Sequence, residues 1–169
     1  FGLREKEHSA GAAHDVLWLQ NVLEHVVDPV GLMSFLRPLV KPGGVLVVTV
    51  PNDFSRLQLE AKDRGVIDRD FWVALPDHLS YFSRNSLVNI GAHTGWNVLD
   101  ILGDFPIDWF LFHPGANYIM DKSAGKAAHR ARVTLENLIG ENRVEDVTAF
   151  YSAMARIGMG RDLSAFYVP

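Results

Sequence analysis

A chain of 169 residues with 48% apolar side chains and a net charge of −4 holds material for one packed domain, with room for an insertion, and offers no broad basic field to draw nucleic acid. It contains no cysteine, which excludes disulfides, thiolate catalysis and cysteine-based zinc sites and suits a reducing, cytoplasmic setting. No apolar run approaches the ~20 residues of a membrane span, and the chain opens on Phe1 without a signal-like segment, as expected of a processed or trimmed piece.

Residues 1–13 are weakly patterned, and Ser9-Ala10-Gly11-Ala12-Ala13 reads as a loop. Val16-Leu17-Trp18-Leu19 and Val45 to Val50 are continuous apolar runs rich in β-branched residues, the pattern of parallel strands covered on both faces. Between them, Asp28 is placed to cap a helix that starts at Pro29, where a missing N–H costs nothing. Leu32, Phe35, Leu36 and Leu39 fall on one face of it, and Pro38 should loosen its last turn. Lys41-Pro42-Gly43-Gly44 reads as the helix stop. Such a βαβ unit takes a right-handed crossover and binds ligands at the carboxyl ends of its strands. Those ends are Gln20-Asn21 and Pro51-Asn52-Asp53.

Further on, Asp53 is expected to cap a short polar helix ending near Gly65. Residues 66–82 lack a period but hold Phe71, Trp72, Leu75, Tyr81 and Phe82, a connection suited to a lid or substrate wall. Ser83 begins the next helix, with Phe82 and Leu87 as a hydrophobic staple and Gly95 at the far end. Trp96 to Leu102 reads as a strand, and Leu163 to Val168 as the last one. Residues 103–160 carry two helix signals. Ser123 should cap the first, with Ala128, Ala131, Leu135 and Leu138 on one side and Gly140 at its end. Asn142 and Glu145 have the spacing of a capping box for the second, whose apolar face is Val144, Val147, Tyr151, Met154 and Ile157, with Gly158 closing it. A hairpin would suffice between antiparallel strands, so this helical pair is expected to cover an active-site mouth or make a subunit contact.

The stretches DVLWLQNVLEHVVDP, LRPLVKPGGVLVVTVPN and HLSYFSRNSLVNIGAHTGWNV, in that order, resemble a class I S-adenosylmethionine-dependent methyltransferase, nearest to the ubiquinone-biosynthesis O-methyltransferases. The resemblance covers roughly residues 15–102. It implies a Rossmann-like three-layer α/β/α fold of which this chain is the C-terminal half, strands four to seven, in a single partial domain with a helical insertion before the last strand. It implies methyl transfer to a small-molecule acceptor, such as a sugar or other envelope or secondary metabolite, with S-adenosylmethionine bound through Leu19, Gln20 and Asn21 and the acceptor met by Asn52, Asp53 and Tyr81. The family's glycine-rich cofactor loop and the acidic residue that follows it have no counterpart here, so this piece alone is expected to be inactive. Gly158-Met159-Gly160 follows a helix and reads as its stop. The apolar edge of strand 15–19 calls for cover, from an N-terminal half or from a homodimer partner.

His78 and His25 are the candidate catalytic residues. An imidazole titrates near neutrality and can take a proton as a methyl group transfers; Asp77 is placed to orient His78. A structural histidine anchoring the connection to the sheet edge is the other reading. In the ubiquinone-type relatives Glu24-His25 would belong to a Glu-x-x-Glu-His magnesium site, but Asn21 stands at the first acidic position and no metal is expected; hydrogen bonds that order the loop account for the pair. Lys126, His129, Arg130 and Arg132 read as a solvated face or as a contact for an acidic substrate. Phe105, Trp109, Phe110 and Phe112 read as packing before substrate box. No Asn/Asp-Pro-Pro-aromatic motif follows the first strand, which in this fold speaks against nucleic-acid bases as acceptors. Two other functions fit the residues: a degenerate Rossmann domain serving as a binding module, and the C-terminal half of a nicotinamide-dependent enzyme.

Overall fold

The computed structural model describes residues 14–169; the loop expected over Ser9–Ala13 lies outside the described residues. Four strands form one sheet in the order β1-β2-β4-β3. β1 (His14–Gln20) runs parallel to β2 (Val40–Pro51), with Trp18 opposite Val47. β4 (Asp162–Val168) lies antiparallel between β2 and β3 (Asn97–Gly103). Helices α1 (Pro29–Leu36) and α3 (Arg84–His93) cover one face. There Met33, Leu36, Leu87 and Ile90 pack in one cluster with Leu46, Val48 and Val50 of β2, Ile101 of β3 and Leu163, Ala165 and Tyr167 of β4. Tyr167 buries its ring here and donates its hydroxyl to the Leu87 carbonyl at 2.8 Å.

The expected caps of α1 and α3 form. Asp28 Oδ1 accepts from the Gly31 amide at 2.7 Å, and Ser83 and Ser86 make a reciprocal capping box. Pro38 acts as expected, since the α-helix ends at Leu36 and Arg37–Leu39 continue as a 3-10 turn. Lys41-Pro42-Gly43-Gly44 is not the helix stop. β2 already starts at Val40, and pairing jumps from His14–Val40 to Val16–Val45, so these residues bulge from the strand with Gly43 at φ 82°. Asp53 is not a cap either. Ser55 caps α2 (Arg56–Asp63) in a capping box with Gln58, and Asp53 turns its carboxylate inward. β1 differs from expectation as well: Leu17 and Leu19 pack on the core, while Val16 and Trp18 on the other face are 61% and 65% exposed. Among the described residues nothing pairs with its outer edge.

The insertion holds α4 (Gly125–Gly140) and α5 (Val144–Ile157), preceded by three 3-10 turns. Asp121, not Ser123, caps the turn before α4 by accepting from the Ser123 amide. The face of α4 read as apolar is turned outward: Ala128 is buried, whereas Ala131, Leu135 and Leu138 are exposed. Asn142 does not open α5. Its side chain closes α4 by donating to the carbonyls of Leu138 and Ile139, since the tight turn places it nearer the open end of the first helix. Gly158 ends α5 in the left-handed conformation, as its position implies. α5 lies over the second face of the sheet beside β3, where Ser152 Oγ meets Asp100 Oδ1 at 3.1 Å. No helix among the described residues is long and apolar enough to cross a membrane.

Where the insertion leaves and rejoins the sheet, Gly103 and Gly160 touch: a Cβ on Gly160 would stand 2.5 Å from the Gly103 Cα. Gly160→Ala is expected to destabilise the fold by about 2–3 kcal/mol through overpacking against backbone. Gly140→Ala, which meets nothing within 4 Å, should be neutral or stabilise by about 0.5 kcal/mol. Urea unfolding midpoints of the two variants check the contrast; equal midpoints would contradict it.

Candidate functional site

The carboxyl ends of β1 and β2 each pass into a non-glycine residue with left-handed backbone, Asn21 at φ 52° and Phe54 at φ 58°. Such positions are costly and are held by their surroundings. Asn21 is held by its amide, which donates to the Thr49 carbonyl of β2. The loop after β1 then buries Leu23 and Glu24. The connection 66–82 is stitched onto that loop, since the amides of Leu79 and Ser80 both donate to the Glu24 carbonyl. Its aromatic half is anchored by a second small core of Ala61, Ile67, Trp72 and Leu111. These tethers bring His78 beside His25, with ring centroids 4.9 Å apart.

His25 Nδ1 lies 2.7 Å from the Asp77 carbonyl oxygen. A carbonyl only accepts, so Nδ1 carries the proton and Nε2 faces Glu24 Oε1 at 3.6 Å. His78 Nδ1 lies 3.5 Å from Asp53 Oδ2, and Arg161 Nη1 lies 3.6 Å from Asp53 Oδ1. The Arg161 guanidinium also sits 5.6 Å above the Phe71 ring centroid. Glu24 and Asp53 are almost wholly buried, and none of their four carboxylate oxygens has a hydrogen-bond donor. Buried carboxylates without donors demand positive charge or a proton close by.

Other acids crowd the same end. Burial raises the pKa of Asp53, opposed by the charges of Arg161 and His78. It raises that of Asp162, opposed by Arg161 and reinforced by Asp53, Glu24 and Asp108. Asp104 is pushed up from 3.8 to about 7, first by burial and then by the charge of Asp162. Tyr118 donates to the buried Asp108 at 2.5 Å, and burial with that neighbour raises its pKa as well. The result is an end of the sheet where buried carboxyl groups outnumber the one guanidinium and two imidazoles among them. It favours a cationic ligand, and an imidazole near it can take a proton. Glu24, His25 and His78 each bring a ligand atom within 4.8 Å of the others. One carboxylate with two imidazoles suits a borderline transition ion better than magnesium.

The structure gathers most of the residues singled out from the sequence at this one end. Leu19, Gln20 and Asn21 end β1; Asn52 and Asp53 follow β2; His25, His78 and Tyr81 stand over them. Asn52 is buried and donates its amide to the Gly160 carbonyl at 2.8 Å, tying β2 to the start of β4. The Tyr81 hydroxyl is buried without a partner. Asp77 does not orient His78: its side chain is exposed, and Asp53 faces the imidazole instead. Lys126, His129 and Arg130 are exposed, and Arg132 pairs with Glu136 one turn on. Phe105 is buried and packs against Trp109 and Phe110. Arg161 is the member that pattern alone misses. A signal existed, because a strand antiparallel to β2 must begin where β2 ends, which puts the residue before β4 at the site. An apolar hollow of about 460 Å³ adjoins His25, lined by Val26, Val27, Leu32 and Phe35.

The sequence matches the profile of a methyltransferase domain over residues 3–101. No curated protein matches it. Among solved structures it is similar to a SAM-dependent methyltransferase from Archaeoglobus fulgidus, at 13% identity and TM-score 0.54, over 96% of this chain and 63% of that one. It is also similar to the cyclopropane synthase of Mycobacterium tuberculosis, at 12% identity and TM-score 0.46, over 95% of this chain and 57% of that one. A phosphoethanolamine N-methyltransferase of Haemonchus contortus gives 14% identity and TM-score 0.42, over 90% of this chain and 32% of that one. The chain thus spans less than two thirds of each of these structures, and the likeness is one of fold.

Because Asp104 holds its proton more tightly folded than unfolded, folding takes one up between pH 3.8 and about 7. Asp53 and Asp162 act in the same direction. The contribution of these groups to stability is therefore full on the acid side of this window and is lost as pH rises through about 7. Asp104→Asn keeps an acceptor for the Asp162 amide and is expected to flatten the slope and raise stability above pH 7. Urea melts at a series of pH values measure it; an unaltered slope would place its origin elsewhere.

Proposed function

The chain belongs to the methyltransferase-domain family, and from that premise we propose that it serves S-adenosylmethionine-dependent methyl transfer to a small-molecule acceptor, as the C-terminal part of the enzyme. The observation that carries this reading is the meeting of His25 and His78 with the buried carboxylates of Glu24 and Asp53 at the carboxyl ends of two parallel strands. Those unsatisfied carboxylates suit a sulfonium cation, so the residues present fit the cofactor. Leu19, Gln20 and Asn21 would hold its amino-acid end. When bound, it supplies an electrophilic methyl group.

The chain's own residues do the rest. His78 presents Nδ1 to Asp53, which leaves Nε2 to take the proton of the acceptor. Asp53 fixes the ring and offsets the charge that the imidazole gains, as a carboxylate behind a histidine does in other active sites. Tyr81, its ring 6.1 Å from His78, walls the acceptor together with Asn52. The apolar hollow beside His25 takes the nonpolar part of a small acceptor. A net charge of −4 and the missing base-methylation motif support a metabolite, such as a sugar derivative, over nucleic acid. Positioning supplies much of the rate in an in-line displacement of this type. The uncovered edge of β1 receives a further strand, from the rest of a longer chain or from a second copy.

Titration with S-adenosylhomocysteine followed by amide NMR tests the cofactor assignment. Saturable, weak binding with shifts at Leu19, Gln20 and Asn21 is expected; no response at these amides overturns it. His78→Ala should leave that binding unchanged and, in the whole enzyme of which this chain is proposed to be the C-terminal part, lower methyl transfer by about a hundredfold or more. Equal loss of binding and turnover would assign His78 to structure.

A further inference from the structure

A second cavity, polar and of about 270 Å³, opens at the same end of the sheet; Asn52 borders it, but His25, His78, Glu24 and Asp53 do not. Three arginines from three helices line it: Arg56 and Arg84, the first residues of α2 and α3, and Arg156 in the last turn of α5. No carboxylate lines it. Of the seven other arginines among the described residues, Arg64, Arg69, Arg132, Arg143 and Arg161 each have an acidic partner within ion-pair distance, while Arg37 donates to the Gly95 carbonyl and Arg130 is exposed. The three in the cavity have no acidic partner among the described residues. Arg156 donates to the Ser152 hydroxyl, which in turn donates to Asp100, and Arg84 Nε is buried without an acceptor. In a chain with 20 acidic residues against 16 lysines and arginines, three arginines without an acidic partner lining one cavity are a local concentration of positive charge.

The backbone adds to it. The cavity is edged by Ser55 and Arg56 and by Ser83, Arg84 and Asn85, the opening turns of two capped helices, whose N-termini carry positive partial charge. The C-terminus of α5 also borders the cavity with the opposite partial charge, and there the Gly158 carbonyl accepts from the Arg56 amide. The volume lies near the low end of small-molecule clefts, which begin at roughly 300 Å³. We propose that this cavity binds the phosphoryl group of a small molecule, held by Arg56, Arg84 and Arg156. A dianion with several acceptor oxygens answers three guanidiniums and two helix ends better than a single carboxylate does. The assignment does not depend on the methyl-transfer reading, because Arg56, Arg84 and Arg156 have no part in it and Asn52, which borders both sites, is given no role in holding the anion.

Inorganic phosphate is the probe, titrated into the chain and followed by NMR at the Arg84 Nε–H and the amides of Asn85 and Gly158, with acetate as the comparison anion. Saturable shifts confined to these groups are expected, with affinity falling about tenfold in Arg84→Ala and less in Arg84→Lys, which keeps charge but loses the fork. Arg56→Ala, at an exposed position, should weaken binding in the same direction and guards against a misfolded Arg84 variant; thermal melts confirm that each variant folds. Non-saturating shifts, shifts spread equally over Arg64 and Arg69, or unchanged affinity in both alanine variants would overturn the proposal. So would acetate saturating the same groups as tightly as phosphate.

Discussion

The register of β1 against β2, and of β4 against both β2 and β3, is the constraint from which the rest follows. Parallel pairing of Trp18 with Val47 sends the ends of two strands to one edge of the molecule. The antiparallel return of β4 delivers its first residues to that same edge, with Pro51 opposite Asp162. Asn21, Asp53, Arg161 and Asp162 come from three strand ends far apart in sequence, yet all arrive there without any dedicated scaffold. Slip the pairing by one residue and each of these side chains would exchange faces.

What gathers at that edge is electrically divided. On one side of the segment Asn52–Phe54 stand buried carboxyl groups, two imidazoles and one guanidinium; on the other a cavity is lined by three arginines and no acid. Burial makes the first group unfavourable on its own terms, as the raised pKa values of Asp53, Asp104 and Asp162 register. Charge held against such a penalty is common where a protein binds or transforms something. The two left-handed residues at the strand ends fit the same pattern, since strained backbone gathers at positions where geometry is set by use before stability.

Much of the frame was legible because local signals agreed with tertiary demand. Asp28-Pro29 and Ser83 announced helix starts, Gly95 and Gly158 announced stops, and the apolar runs announced strands. The misreadings share a cause: a short polar residue serves whichever open backbone group is nearest in space. Asp53 had the spacing of a cap but was drawn toward Arg161 and His78, leaving Ser55 to cap α2; Asn142 closed the helix before it instead of opening the one after. Of the site, the strand-end residues and the histidines could be named from sequence. The facing of Asp53 onto His78 could not, because it depends on how the connection 66–82 is stitched onto the loop after β1, and Arg161 could be placed only once β4 was known to run antiparallel to β2.

That return has an evolutionary reading. Gly103 and Gly160 lean on each other, and Asp104 and Asp162 bond across the same gap, so the excursion between them starts and finishes at one spot. A segment with adjoining feet can be lengthened or shortened at modest cost in loop entropy, provided that Leu111 and Ala155, its members of the two cores, are kept or replaced. Descendants of this scaffold could therefore trade one roof for another while the strands beneath keep their places.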